Sequence, residues 1–195
     1  MDNPVGKVAL PVARFAAIVC GYGILALSFA IVVEVLGRKF FAFSLQGVDD
    51  IGGYALAIAS AIGASYTMAM RGHTRIDVFL VRFPASVQAL LNAVAMVALA
   101  GFACFAFWRG SSVLLESIEF RSVATNPLQT PLWLPQGAWL FGLGLFASFA
   151  TAYCVHALWL LASDRRRLNR LYGPTTAQEE IDAELDARKQ LGEKP

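Results

Sequence analysis

Charge is what this sequence has least of. Asp, Glu, Lys and Arg make up 15% of the 195 residues and mean hydropathy is +0.56, whereas about a quarter of a soluble globular domain is charged. That shortage excludes an ordinary soluble fold. Cysteine is also scarce: Cys20, Cys104 and Cys154 lie singly in three apolar runs and form no C-x-x-C pair. A zinc site and a disulfide framework are therefore not indicated, and the three read as small buried apolar residues. The sequence carries no Walker A loop, no G-x-G-x-x-G after a strand, no H-E-x-x-H and no G-x-S-x-G, which removes the common signatures of nucleotide-dependent and hydrolytic enzymes. Nor is there an internal repeat or a low-complexity tract.

Long uncharged runs are what the chain has instead. Residues 15–33, 51–70, 83–108 and 132–163 carry no Asp, Glu, Lys or Arg over 19, 20, 26 and 32 positions. A hydrocarbon core of about 30 Å needs about 20 apolar residues at 1.5 Å each, so every run is long enough to span. The reading is an all-α membrane protein with four transmembrane helices, at about residues 12–36, 51–70, 85–108 and 136–162. Residues 1–165 form the membrane domain and 166–195 a charged cytoplasmic tail, within which "TAQEEIDAELDARKQLGEKP" reads as a short helix or as disordered. The first run exceeds a signal-peptide core and no small-x-small cleavage site clearly follows it, so it reads as a retained helix.

Lys and Arg near the spans set orientation. Lys7, Arg14, Arg71, Arg75, Arg82, Arg165, Arg166, Arg167 and Arg170 fall on one side; Arg38, Lys39, Arg109 and Arg121 fall on the other. Nine against four puts both termini in the cytoplasm.

Between the first two spans, "GRKFFAFSLQGVDD" mixes Phe40, Phe41, Phe43 and Leu45 with Arg38, Lys39, Asp49 and Asp50. It is too short to cross and suits an amphipathic segment in the headgroup region. Asp49 and Asp50 directly precede the second helix, where carboxylates are favourable. Gly52, Gly53, Ser60, Gly63, Ser65 and Thr67 give that helix small faces, which let backbones approach closely in lipid. Gln88 and Asn92 lie in the first turns of the third helix. Pro127, Pro131 and Pro135 break regularity before the fourth, and Trp133 and Trp139 fit an outer aromatic belt.

Ionisable groups near the membrane are the candidates for chemistry. Glu34 and Arg38 stand one helical turn apart and can pair. The pair is either an ion-coupling site or a neutralised anchor at the helix end, and its distance from the midplane favours the anchor. His73 and His156 raise a bis-histidine haem site, as in the membrane anchor of a respiratory complex, but His73 sits in a polar loop beside Arg71 and Arg75. The stretch "MRGHTRID" reads as a cytoplasmic turn with Arg71 and Arg75 as topology anchors and Asp77 pairing locally. His73 has no explanation from physics alone. Autonomous transport, for example by a small exporter, would want a charge at the midplane; the central thirds of the spans hold only hydroxyls and glycines, pointing to an accessory subunit.

Taken in order, "EVLGRKF", "SLQGVDDIGGY", "AIGASYTMAMRGHTRIDVFLVRFP" and "NPLQTPLWLPQG" resemble the small, DctQ-type membrane subunit of TRAP (tripartite ATP-independent periplasmic) transporters over roughly residues 10–165. The resemblance implies a bacterial inner-membrane subunit without catalytic, cofactor or metal residues. Its implied partners are a large membrane subunit carrying substrate and sodium, a periplasmic substrate-binding protein delivering an organic acid, and membrane lipid, with no role for nucleic acid. On that resemblance Glu34, Arg38, Asp49, Asp50, Ser60, Gly63, Arg71, His73, Arg75 and Asp77 are candidate interface or structural residues. Glu116, Glu119 and Arg121 join Arg38, Lys39, Asp49 and Asp50 as candidates for touching the binding protein.

Overall fold

The computed structural model describes residues 3–41, 47–70, 80, 82–125 and 128–173. Among the described residues the chain forms five helices: α1 (Pro4–Phe41), α2 (Val48–Ala69), α3 (Ala85–Glu119), α4 (Trp133–Ser163) and α5 (Arg165–Tyr172). The first four are long and apolar enough to cross a membrane. Among the described residues the only strand-like pairing is a single bridge, Val123 with Pro131, so the fold is all-α. In hydrocarbon an unpaired backbone amide costs several kcal/mol, and a helix satisfies its own.

Three helices are longer than a crossing requires. α1, α3 and α4 have 38, 35 and 31 residues, against roughly 20 for the hydrocarbon core. α1 absorbs Arg38 to Phe41 as its last turn, so the front of the expected interfacial segment is a helix end; residues 42–46 lie outside the described set. α3 continues through Arg109, Glu116 and Glu119, which are exposed. A charge ends an apolar run without ending a helix. Pro135 falls within the first turn of α4 rather than breaking it, because a first-turn amide has no intrahelical acceptor to lose. α1 begins with Asn3, whose Oδ1 accepts from Val5 N at 3.1 Å and whose carbonyl accepts from Lys7 N at 3.2 Å, with Pro4 at the first helical position.

Two units emerge from the packing: residues 1–73 with 95–156, and residues 74–94 with 157–195. In the first, the core comes from Ala61, Ile62 and Met68 of α2, Ala100 and Ala103 of α3, and Leu143, Phe146, Ala147 and Ala150 of α4. Small residues bring these helices together. A Cβ on Gly142 would stand 2.9 Å from Ala61 Cβ and 3.2 Å from the Ile62 backbone nitrogen; one on Gly110 would meet Leu140, Leu143 and Trp139 at 3.2 Å. α1 is different: none of its most apolar 18-residue window is buried. In the second unit Ala89, Asn92 and Ala93 of α3, Ala157 and Leu160 of α4, and Leu168, Leu171 and Tyr172 of α5 are buried. Asn92 donates to Asn169 Oδ1 at 3.1 Å and Asn169 donates to the Ala85 carbonyl at 2.8 Å.

The turn before α2 depends on glycine. Gly47 has φ 90°, caps α2 without a side chain, and would carry a Cβ in collision with Leu128 Cδ1. Leu128 belongs to the segment closed by the Val123–Pro131 bridge, by Ala124 N to Thr130 O at 2.9 Å and by Leu132 N to Ser122 O at 3.0 Å. Gly47→Ala must therefore adopt a left-handed conformation and displace Leu128. A loss of about 1–3 kcal/mol is expected, read as a lower thermal midpoint of the purified protein; an unchanged midpoint would show that the Gly47–Leu128 contact is not needed.

Candidate functional site

Glu34 and Arg38 meet as their spacing suggests. Arg38 Nη2 and Nε lie 2.5 and 3.1 Å from Glu34 Oε1. The carboxylate is 2% exposed and the guanidinium side chain 62%. A buried acid is thus neutralised by an arginine reaching it from the exposed last turn of α1, which also holds Lys39 5.5 Å over the Phe40 ring. The arrangement commits the carboxylate locally.

Asp49 and Asp50 lie inside the first turn of α2, which starts at Val48, rather than before it. A negative side chain at Asp50 complements the helix dipole. Glu116 and Glu119 are exposed near the C-terminal end of α3, and Arg121 follows with φ 48°.

The small residues of α2 do not form one face. Ser65 is fully buried and its hydroxyl lacks a hydrogen-bond partner, whereas Ser60 is exposed and Gly63 half-buried. Gly53, Leu56, Ser60, Gly63 and Thr67, at steps of three and four, make an outward stripe. A Cβ on Gly53 or Gly63 would meet nothing within 4 Å. Ser60 and Thr67 donate to the Leu56 and Gly63 carbonyls at 2.8 and 2.9 Å, so the stripe offers a close-packing surface with no unsatisfied hydroxyl. Arg71, His73, Arg75 and Asp77 lie outside the described residues.

An apolar groove of about 460 Å³ runs along α3 and α4, lined by Phe107, Gly137, Leu140, Phe141, Gly144 and Ser148. The Ser148 hydroxyl donates to the Gly144 carbonyl at 2.7 Å. The groove thus holds neither a titratable group nor a free nucleophile. His156 is half-buried on α4.

Three features escaped the sequence reading. Gly142 sits in an apolar run with nothing to mark it as the closest approach of two helices. Asn92 was visible as a polar residue near the start of α3, but its partner lies 77 positions away. α5 was hidden inside a basic stretch read for topology alone, although Leu168, Leu171 and Tyr172 at i, i+3 and i+4 carry an amphipathic signal.

A family model described as tripartite ATP-independent periplasmic transporters, DctQ component, matches residues 27–160. The match begins within α1 and ends near the C-terminal end of α4, taking in the α2 stripe and the Glu34–Arg38 pair. No curated protein and no solved structure matches the chain.

Proposed function

Because the chain belongs to the DctQ component family of tripartite ATP-independent periplasmic transporters, being a small permease subunit of the inner membrane and not an enzyme, we propose that it acts as a stationary brace for a large transport subunit. The transported solute is an organic acid, delivered by a periplasmic binding protein and driven by sodium. The family match sets aside the alternative of a respiratory membrane anchor. Both termini lie in the cytoplasm in this proposal, following the nine-to-four distribution of basic residues.

The observation that carries the bracing role is where the charge is not. The four spans hold no Asp, Glu, Lys or Arg through their middles, and transport sites concentrate near the midplane. A subunit that moves its partner's cargo needs no such site, but it needs surface. α1 offers an unburied apolar stretch and α2 an outward stripe of small residues. Added helices enlarge the part of the complex that stays fixed while another part slides. At the outer helix ends, Arg38, Lys39, Asp50, Glu116, Glu119 and Arg121 supply charges of both signs for docking a soluble partner, where complementary charge sets encounter rate and register; Asp49 belongs to the same group. In this proposal Arg71 and Arg75 count as inner-side topology anchors, and His73 and Asp77 are assigned structural or interface roles rather than chemistry.

Ser60→Leu and Gly63→Leu test the α2 surface. Both positions open outward, so leucine there leaves the chain's own packing intact. Each variant is expected to retain the wild-type thermal midpoint alone, yet to reduce co-purification of the large subunit at least several-fold. Normal co-purification of both variants would remove α2 as the contact surface.

A further inference from the structure

α5 follows the membrane-crossing α4 after a single residue, Asp164. The Asp164 carboxylate accepts from Arg167 N at 3.0 Å and caps the helix. Leu168, Leu171 and Tyr172 are buried, and Asn169 is tied to Asn92 and to the Ala85 carbonyl. The apolar side of α5 is therefore occupied inside the protein, unlike that of an interfacial helix lying in the acyl boundary. What α5 turns outward is positive: Arg165, Arg166, Arg167 and Arg170 are all exposed.

This arrangement runs against the local electrostatics. Arg165, Arg166 and Arg167 occupy the first turn, where the one adjacent carboxylate in sequence, Asp164, is engaged in capping the Arg167 amide, and three guanidinium groups add to the partial positive charge of the helix amino end. None of the three has an ion-pair partner among the described residues. The site is suited to an anion from beyond the described residues. Its depth says which. Along α4, Trp139 and Trp159 are 20 residues apart, about 30 Å at 1.5 Å per residue, the thickness of a hydrocarbon core between two aromatic belts. Trp159 is exposed, and α5 begins about two helical turns beyond it. By this spacing α5 falls at the depth where lipid phosphates lie beyond a hydrocarbon core of about 30 Å.

We propose that the Arg165–Arg167 face of α5 binds the headgroups of anionic phospholipids, holding the end of α4 to a negatively charged leaflet. Guanidinium groups match phosphate oxygens bidentately, and clustered basic residues beside a membrane helix are attracted to anionic lipid within a Debye length.

The test uses the full-length protein in neutral detergent, titrated with phosphatidylglycerol or with phosphatidylcholine of the same chains, with the thermal midpoint as readout. Phosphatidylglycerol is expected to raise the midpoint, less so at high salt, and phosphatidylcholine to leave it unmoved. R165Q/R166Q/R167Q should weaken the apparent phosphatidylglycerol affinity roughly 100-fold, and R165Q or R166Q alone roughly fivefold. The single variants decide the matter should the triple variant fail to fold. Equal responses to the two lipids, or an undiminished response in the variants, would overturn the proposal. So would an equal effect of inorganic phosphate, which would mean a general anion site. A response seen only after neutralising Glu179, Glu180, Asp182, Glu184 and Asp186 would assign the arginines to the chain's own acidic segment, and would equally overturn it.

Discussion

Replacing Gly142 with leucine is expected to destabilise the isolated subunit by about 3 kcal/mol or more, toward the upper end of the range for overpacked cores. The reason is the identity of the neighbours. A Cβ at this position would already stand 2.9 Å from Ala61 Cβ, 3.1 Å from Ile62 Cγ1 and 3.2 Å from the Ile62 backbone nitrogen. A flexible side-chain tip could move aside, but an alanine Cβ and a backbone nitrogen cannot yield without shifting α2. Close-packed interiors transmit such strain rather than absorb it. Gly142→Ala should lose less, about 1 kcal/mol, giving a graded series in the thermal midpoint. Gly63→Leu is the internal control: it lies on the same helix as Ala61 and Ile62 but faces open space, and its midpoint should match wild type. Equal midpoints for Gly142→Leu and Gly63→Leu would contradict the packing of α2 against α4 described above.

Arg38→Ala is the second large effect. It leaves the Glu34 carboxylate, 2% exposed, without the guanidinium that neutralises it. Removing one partner of a buried ion pair typically costs about 3–5 kcal/mol, whereas removing both is far milder. With Arg38 itself largely exposed, the lower end of that range, about 3 kcal/mol, is expected. The double variant Glu34→Gln with Arg38→Gln should recover most of the loss, to within about 1 kcal/mol of wild type. That pattern distinguishes a structural anchor from an ion-coupling carboxylate. In a complete transporter, the double variant of an anchor keeps its uptake, while the double variant of a coupling site loses it despite recovered stability.

What could be read from the sequence, and what could not, follows from the range of each interaction. Four membrane helices were legible because the bilayer imposes a length and a polarity on each span independently of its neighbours. The Glu34–Arg38 bond was legible because both ends lie on one helical turn. Helix ends were less so: α1 and α3 run past their apolar stretches to Phe41 and Glu119, since backbone hydrogen bonding continues where hydropathy stops. The division of the α2 small residues, Ser65 inward against Ser60 and Gly63 outward, depends on where α4 lies and has no signature in α2 itself. Gly142 and the Asn92–Asn169 bond are contacts between distant parts of the chain, which composition and periodicity do not register. α5 carried a local signal, the Leu168–Leu171–Tyr172 spacing, masked by four arginines that also satisfy an orientation rule.

Reconstituted uptake tests the central claim, that this chain braces a transporter and does not transport by itself. Proteoliposomes would receive this chain alone, the large membrane subunit alone, or both, each with the binding protein, labelled organic acid and a sodium gradient. Uptake is expected only with both subunits, and the chain alone should behave as empty vesicles. Sodium-dependent uptake by this chain without its partner, or full uptake by the large subunit without this chain, would contradict it.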